Sequence, residues 1–426
     1  MAIGIKIPKF KELSVKNKIS IYNKPKYIYI PLISQNDTNI TVMVKKDDYV
    51  FKGSIIGKRK GNLRIPIHSS VSGTVVDFEE KLYMNGEKVK CVVIQNDFKE
   101  KIETRKSVRK TINNFTKEEF VEIIKDRGVI GLGGAGFPTY VKYDTTKKIN
   151  TLIVNAVECE PYITSDYMLV NEKCEEILET IDAILEINNI KEAIIAIKKG
   201  NSDLKKIFNN FIGTYLKIKL VEVPNLYPMG WERSLIRQVK HVNYKKLPIE
   251  KGIVVNNIST IYAIYEALKI GKPLIERVVT FTGDMLKGPQ NVLVKIGTPA
   301  SEVVEFIGGY KRNKDIKFIA GGPMMGISMP GDELIISGNL NCVLVLKDNE
   351  GTLPIECLRC GKCVYACPAK MSPVLIKDNV DNIEKLKELE ANRCIECGLC
   401  SYVCPSKINV REYVKKAKKN ISKEGN

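Results

Sequence analysis

The sequence predicts a multidomain α/β protein: a β-rich front, a parallel-sheet α/β unit, a small α+β unit and a cysteine-rich end. Three observations carry this. The chain has 426 residues, room for roughly three domains of about 150 residues each. Short β-type runs fill residues 28–97, and helix and strand patterns alternate from about residue 117 to 273. Eight of the 12 cysteines lie between Cys357 and Cys404, so they form a site and not a framework spread through the chain. A hydrophobic content of 44% sets disorder and fibrous repeats aside.

In the front, strand-like runs such as 40–44 and 74–78 are separated by turn signals at Asp47-Asp48, Gly61-Asn62 and Asn85-Gly86. The pattern VMVKKDDYVFKGSIIG followed by IPIHSSVSGTVVDF resembles the hammerhead of biotinyl and lipoyl carriers. Asn62 stands about where the carrier's modified lysine would sit, close to Lys58 and Lys60. Asparagine offers no amine to acylate, so the unit reads as a docking or structural module. A charged stretch at 99–110 reads as a linker. Helical patterns then follow at 117–126, 171–187, 202–212, 232–239 and 260–270, with strand patterns at 151–157, 192–198, 216–223 and 252–256. Alternation of this kind implies a mostly parallel sheet covered by helices. After Pro273 the helices are expected to stop and short strands to return at 277–282, 292–296 and 316–320. The expected domains are 1–105, 106–273, 274–345 and 346–426.

Cys357, Cys360, Cys363 and Cys367 precede Pro368, and Cys394, Cys397, Cys400 and Cys404 precede Pro405. Both runs are C-x2-C-x2-C-x3-C-P, the ferredoxin spacing for two [4Fe-4S] clusters, in which the fourth cysteine of each run crosses to the other cluster. One cluster then takes Cys357, Cys360, Cys363 and Cys404, and the other takes Cys394, Cys397, Cys400 and Cys367. Structural zinc sites pair two C-x2-C hooks across a longer gap, which three hooks in a row do not match. Cys91, Cys174 and Cys342 lie in apolar or helical surroundings and read as packed thiols.

Gly131-Leu132-Gly133-Gly134-Ala135-Gly136 matches G-x-G-x-x-G, but a helix precedes it and Phe137-Pro138 follows, the reverse of a Rossmann fingerprint. Glycines this dense let backbone approach a ligand closely and offer amides to an anion. GLGGAGFPTYVK with NAVECEPY resembles the flavin-binding signature of the NADH-binding subunit of respiratory complex I. With Tyr227-Pro-Met-Gly-Trp-Glu232 and Asn256-Asn257-Ile-Ser-Thr260 added, the whole order resembles the C subunit of the Rnf-type ion-translocating ferredoxin:NAD oxidoreductases.

That resemblance implies a barrel-sandwich hammerhead, a flavin domain, a β-grasp ligand-binding module and a double-cluster ferredoxin-like end. It implies FMN over Gly131, Gly133, Gly134 and Gly136, with Lys142 near the phosphate or ribityl chain. Asn155, Glu158, Tyr227, Gly230, Asn256, Asn257 and Thr260 would line the rest, and Phe137, Glu160 and Glu232 match positions that hold NAD(H). Two residues depart from complex I: Leu132 replaces an arginine, and Trp231, as a flavin lid or buried filler, replaces an acidic residue. His68 and His241 read as structural or solvated.

The expected chemistry moves a hydride between NAD(H) and FMN and single electrons through two clusters, with no side-chain nucleophile. The resemblance makes the chain a peripheral component at the cytoplasmic face of the cell membrane, bound to other subunits of the complex and indirectly linked to ferredoxin. A soluble electron donor to a proline-reductase-type enzyme and a relay module with a decayed flavin site are the alternatives. The amino terminus carries no secretory pattern and no segment reaches the roughly 18 apolar residues of a membrane span. The formal charge of +18 falls to about +14 once two clusters with eight thiolates add about −4. No nucleic-acid reader motif accompanies that surplus. It fits dinucleotides, acidic partners and an anionic membrane surface, with Arg411, Lys415, Lys416, Lys418 and Lys419 as the expected docking tail.

Overall fold

A computed structural model describes residues 4–34, 37–61, 63–102, 111–312, 314–348, 351 and 353–424. Asn62 and most of the expected linker, 103–110, lie outside the described residues.

The first strand, β1 (Ser20–Tyr22), leaves the front of the chain and pairs in parallel with a strand some 270 residues later. The front itself is built from β2 (Tyr27–Pro31), β3 (Ile40–Val42), β4 (Tyr49–Val50), β5 (Ile55–Arg59), β6 (Pro66–His68), β7 (Gly73–Leu82) and β8 (Lys88–Asn96). They form two antiparallel sheets, ordered β2-β8-β7-β4 and β3-β5-β6. Alternation explains the packing: Ile28 and Ile30 of β2 and Val92 and Ile94 of β8 all turn inward onto one core.

Helix α1 (Lys117–Asp126) matches the sequence expectation because its start is encoded locally, by a capping box between Thr116 and Glu119. The parallel unit follows: β9 (Thr151–Asn155), α2 (Ser165–Ile187), β10 (Glu192–Lys198), α3 (Ser202–Phe211), β11 (Ile218–Val223), α4 (Glu232–Lys240), β12 (Ile253–Asn257) and α5 (Ile258–Ile270). The sheet order is β11-β10-β9-β12, all parallel, as the alternation predicted. The chain runs from β9 outward to β11, then returns to place β12 on the other side of β9. Strand order therefore reverses between β9 and β12, and at such a switch point the carboxyl ends of neighbouring strands diverge and leave a crevice.

A six-stranded mixed sheet follows, built from β13 (Glu276–Thr282), β14 (Gln290–Lys295), β15 (Ile316–Ala320), β16 (Ile327–Met329) and β17 (Cys342–Lys347) together with β1. Here the expectation that helices stop after Pro273 is corrected: α6 (Ala300–Phe306) covers this sheet with Val303 and Val304 buried. Seven residues give too few turns for a helical period to stand out.

The carboxyl-terminal region holds short helices α7 (Lys362–Ala366), α8 (Pro373–Asp378), α9 (Ile383–Glu388) and α10 (Leu399–Tyr402), then the long α11 (Val410–Glu424). Val410, Val414, Ala417 and Ile421 recur at helical spacing and pack α11 onto their core. The expected basic tail is thus an integral helix. Arg411 donates to the carbonyls of Met325 and Gly326, Lys418 binds Glu396 and the Cys394 carbonyl, and Lys416 pairs with Asp381. Among the described residues no helix is long and apolar enough to cross a membrane.

Candidate flavin and iron–sulfur sites

The glycine loop lies over the crevice between β9 and β12. Its base is closed by Gly131 N–H donating to Phe137 O and Gly136 N–H donating to Gly131 O, while Gly133, Gly134 and Ala135 stand exposed at its tip. Gly136 has φ +61, and a Cβ there would come within 3.2 Å of Asn339; a Cβ on Gly133 would come within 3.2 Å of Asn257. Gly134, at φ +107, would meet nothing within 4 Å, so its open side can receive a flat ring system. The amide of Leu132 donates to Thr260 Oγ1, which fastens the loop to the first turn of α5. That helix begins directly after β12, with Asn257 as its cap, and aims its amino terminus at the crevice, where an anion is favoured.

Lys142 supplies the matching cation. It is half-buried, and its Nζ donates to Val255 O and Asn256 Oδ1, both neutral groups. Burial holds its ammonium below the usual lysine range, while Glu232 pulls the other way. A phosphate beside it would restore the balance, so the residues present fit FMN. Asn155 donates to Gly230 O and accepts from Val157 N–H, and Asn257 donates to Asp166, which also accepts from Ser259 Oγ. The structure therefore brings the four glycines, Lys142, Asn155, Gly230, Asn256, Asn257 and Thr260 together at one strand end.

Three other expected residues turn their polar atoms elsewhere. Glu158 accepts from Lys11 Nζ at 3.0 Å and from the Asp166 amide, tying the amino-terminal segment to the flavin unit. Glu160 accepts from the amides of Met324 and Met325 at 3.2 and 2.8 Å, and its Oε1 lies 3.3 Å from Tyr227 Oη. Burial raises its pKa to about 7 against those hydrogen bonds. Tyr227, which is buried, donates to Cys397 O at 2.7 Å. Glu232 accepts from Tyr244 at the start of α4, and Phe137 lies half-buried at the loop base. Trp231, open between lid and filler in the sequence, packs against the core of the cysteine-rich region.

Sequence reasoning misses Arg277. This buried side chain reaches from β13 to the carbonyls of Gly338 and Leu132, the latter in the glycine loop. Burial lowers its pKa to about 10, with Asp166 opposing. No local pattern in the sequence marks it.

The eight cysteines form two nests. Cys367, Cys394, Cys397 and Cys400 line one cavity, and Cys357, Cys360, Cys363 and Cys404 line a second. The crossed sets are those the spacing predicted. Among the described residues no three such side chains converge tightly enough to hold a single ion. Burial pushes the thiols of Cys397 and Cys400 up to about 12, so iron must draw out the thiolates. We call the first nest inner, because Cys397 touches Tyr227, and the second outer. Of the four remaining thiols, Cys91, Cys174 and Cys342 are buried and free, as expected, Cys159 is half-buried and free, and burial raises all four pKa values.

Four family descriptions match the chain in this order: RnfC barrel sandwich hybrid domain at residues 1–99, Nuo51 FMN-binding domain at 124–266, SLBB domain at 278–328 and 4Fe-4S dicluster domain at 356–408. The C subunit of the Na+-translocating ferredoxin:NAD+ oxidoreductase complex of Acetobacterium woodii is 32% identical over 88% of this chain and 86% of its own length. The chain belongs to the RnfC family, the C subunits of ion-translocating oxidoreductase complexes. Its relative in the proton-translocating ferredoxin:NAD+ oxidoreductase complex of Clostridium ljungdahlii is 33% identical over 86% of this chain and 81% of its own. Its relative in the ion-translocating oxidoreductase complex of Rhodobacter capsulatus is 33% identical over 87% and 73%. A chain of an NAD+-reducing [NiFe]-hydrogenase shares the fold at a TM-score of 0.50 and 15% identity, over 73% of this chain and 61% of that one. Family and site together make this RnfC-family chain an oxidoreductase component with FMN, two [4Fe-4S] clusters and NAD(H) as its cofactors.

Proposed function

We propose that this RnfC-family chain exchanges hydride between NAD(H) and FMN at the β9–β12 crevice and passes single electrons first to the inner nest and then to the outer. Bound FMN would supply the conversion between two-electron and one-electron chemistry. The chain's own residues orient and exclude. The glycine loop gives backbone access, Lys142 and the α5 amino terminus hold the phosphate, and Tyr227 and Trp231 press the inner nest onto the flavin unit. The observation that carries the order is the hydrogen bond from Tyr227 to Cys397 O.

Phe137, Glu160 and Glu232 remain the proposed nicotinamide-side residues. For Glu160 this requires exchanging its bonds to Met324 and Met325 when the nucleotide enters. The front is a hammerhead and the six-stranded unit a β-grasp module in this reading, and domain limits near 105, 273 and 345 follow. The assembly is a membrane complex linked to ferredoxin, with this chain at the cytoplasmic face. Neutralising Lys415 and Lys419 tests the contact with anionic lipid.

The test is anaerobic purification with FMN, followed by NADH-dependent viologen reduction. Bound flavin and turnover are expected; their joint absence would leave only a relay module. Recovery of the activity away from membranes would favour the soluble donor.

A further inference from the structure

The six-stranded unit grips the glycine loop at two points, through Asn339 and through Arg277. Asn339 Nδ2 donates to Gly134 O at 3.4 Å, and its Oδ1 accepts from Tyr83 Oη of the front and from Ser337 Oγ, each at 3.1 Å. Arg277, near the start of β13, spreads its guanidinium over three carbonyls: Nε donates to Val278 O at 3.2 Å, Nη1 to Gly338 O at 2.8 Å and Nη2 to Leu132 O at 3.4 Å. Gly338 directly precedes Asn339, so the two grips are joined.

Bracing a loop does not require a charge. A neutral amide, as Asn339 shows, bonds a loop carbonyl without carrying an ion into the interior. Arg277 does carry one: it is 4% exposed, and its bonds among the described residues go to carbonyls and not to a carboxylate. Its pKa, lowered by burial to about 10, leaves it ionised at neutral pH, and Asp166 is the opposing charge. Asp166 is held by Asn257 Nδ2 at 2.6 Å and Ser259 Oγ at 2.5 Å and forms no ion pair with the arginine. A buried cation that faces only carbonyl dipoles costs stability, and costs of that kind collect at functional sites. The loop itself, Gly131 to Gly136, is uncharged. Arg277 therefore brings to it a cation separate from Lys142, whose Nζ is bonded to Val255 and Asn256.

We propose that Arg277 is a positioning residue whose buried charge stabilises the reduced, anionic flavin over the oxidised one and so raises the flavin's midpoint potential. It rests on FMN occupying the β9–β12 crevice. Oxidised isoalloxazine is neutral, and uptake of two electrons and one proton, which a hydride delivers together, leaves the ring with one negative charge near neutral pH. Lys142 and the α5 amino terminus meet the phosphate, whose charge is the same in both redox states. Arg277 meets the charge that arises on reduction. In a water-poor interior a fixed charge acts on its neighbour without direct contact.

The test is an equilibrium redox titration of the FMN-loaded holoprotein with a chemical reductant, with FMN affinity read from the fluorescence of released flavin. Arg277→Met removes the charge and keeps the bulk. It should hold reduced flavin about tenfold less tightly relative to oxidised flavin, which is a midpoint about 30 mV lower. Arg277→Lys keeps the charge and loses the fork, so oxidised FMN should bind roughly threefold more weakly while the midpoint stays at the wild-type value. Asn339→Ala loosens the other grip at constant charge and should likewise weaken FMN by roughly threefold with the midpoint unchanged. A brace without an electrostatic role predicts one pattern for all three. If circular dichroism shows that Arg277→Met does not fold, Asp166→Asn reads the same field with the opposite sign and should raise the midpoint. An unshifted midpoint in folded Arg277→Met overturns the proposal, as does an equal shift in Asn339→Ala or, where the Met variant is unfolded, no rise in Asp166→Asn. A wild type that takes up no FMN overturns the crevice reading and the proposal with it. Absence of NADH–viologen turnover in the wild type would sink the proposed function instead, and the midpoints would still decide the role of Arg277.

Discussion

The inner and outer nests share one cysteine spacing and differ in their surroundings. Cys367 and Cys397 of the inner nest are 9% and 7% exposed, and Gly398 lies so close to the Met324 backbone that a Cβ would approach its carbonyl oxygen within 2.4 Å. Around the outer nest Cys360 is exposed and its apolar neighbours face solvent. Sequence spacing therefore specifies the ligand set of each nest, and tertiary contact specifies its surroundings, on which the proposed path rests. On the proposed path, the cluster packed against the flavin unit would exchange electrons inside the molecule and the one ringed by exposed apolar side chains would exchange them outside.

The largest expected difference is in oxidative lability. Limited exposure of the holoprotein to oxygen should remove about half of the iron, and the outer nest should go first, because solvent reaches its thiolates. Mass-spectrometric mapping of alkylated cysteines reads this directly. Equal labelling of both nests would erase the contrast.

Glu160 tests the inner contact through pH. Its folded pKa of about 7 lies above its ordinary 4.5, so between these values the unfolded chain has released a proton that the folded chain keeps. Stability should fall as pH rises from about 4.5 to about 7 and level off above, by at most about 3 kcal/mol. Glu160→Gln should flatten that part of the profile in chemical denaturation. A wild-type profile that is already flat there would remove the buried carboxylate from the account.

Tyr227→Phe sharpens the comparison at a smaller scale. It deletes one donor to Cys397 O and should cost about 1 to 2 kcal/mol at the junction, enough to slow reduction of the inner nest by NADH. Tyr365→Phe at the outer nest should leave stability and that rate unchanged. Equal effects of the two would mean that the inner contact positions nothing.

Much of this molecule is legible locally. The limits of α1 follow from the Thr116–Glu119 box, and β10 from an unbroken apolar run. The crossed cysteine sets follow from spacing alone. By contrast, α2 begins earlier than expected because Met168, Leu169 and Val170 are helical through burial in the fold. α6 escapes a reading of the sequence because seven residues carry too weak a helical period. The fates of Glu160 and Tyr227 are invisible there for a stronger reason. Their partners lie 165 and 170 residues away, in parts of the chain that only the folded structure brings near. Arg277 escapes likewise, since nothing in a strand sequence says which loop its side chain will reach.

The most direct test of the path is freeze-quenched EPR of the FMN-loaded protein after mixing with NADH, on Cys360→Ala and Cys397→Ala variants. The account predicts that Cys360→Ala still shows the reduced inner-nest signal at the wild-type rate. In Cys397→Ala the outer-nest signal should be absent on the turnover timescale, although dithionite brings it up and so shows that the cluster is present. An outer-nest signal that rises at the wild-type rate in Cys397→Ala would contradict the inner-to-outer order.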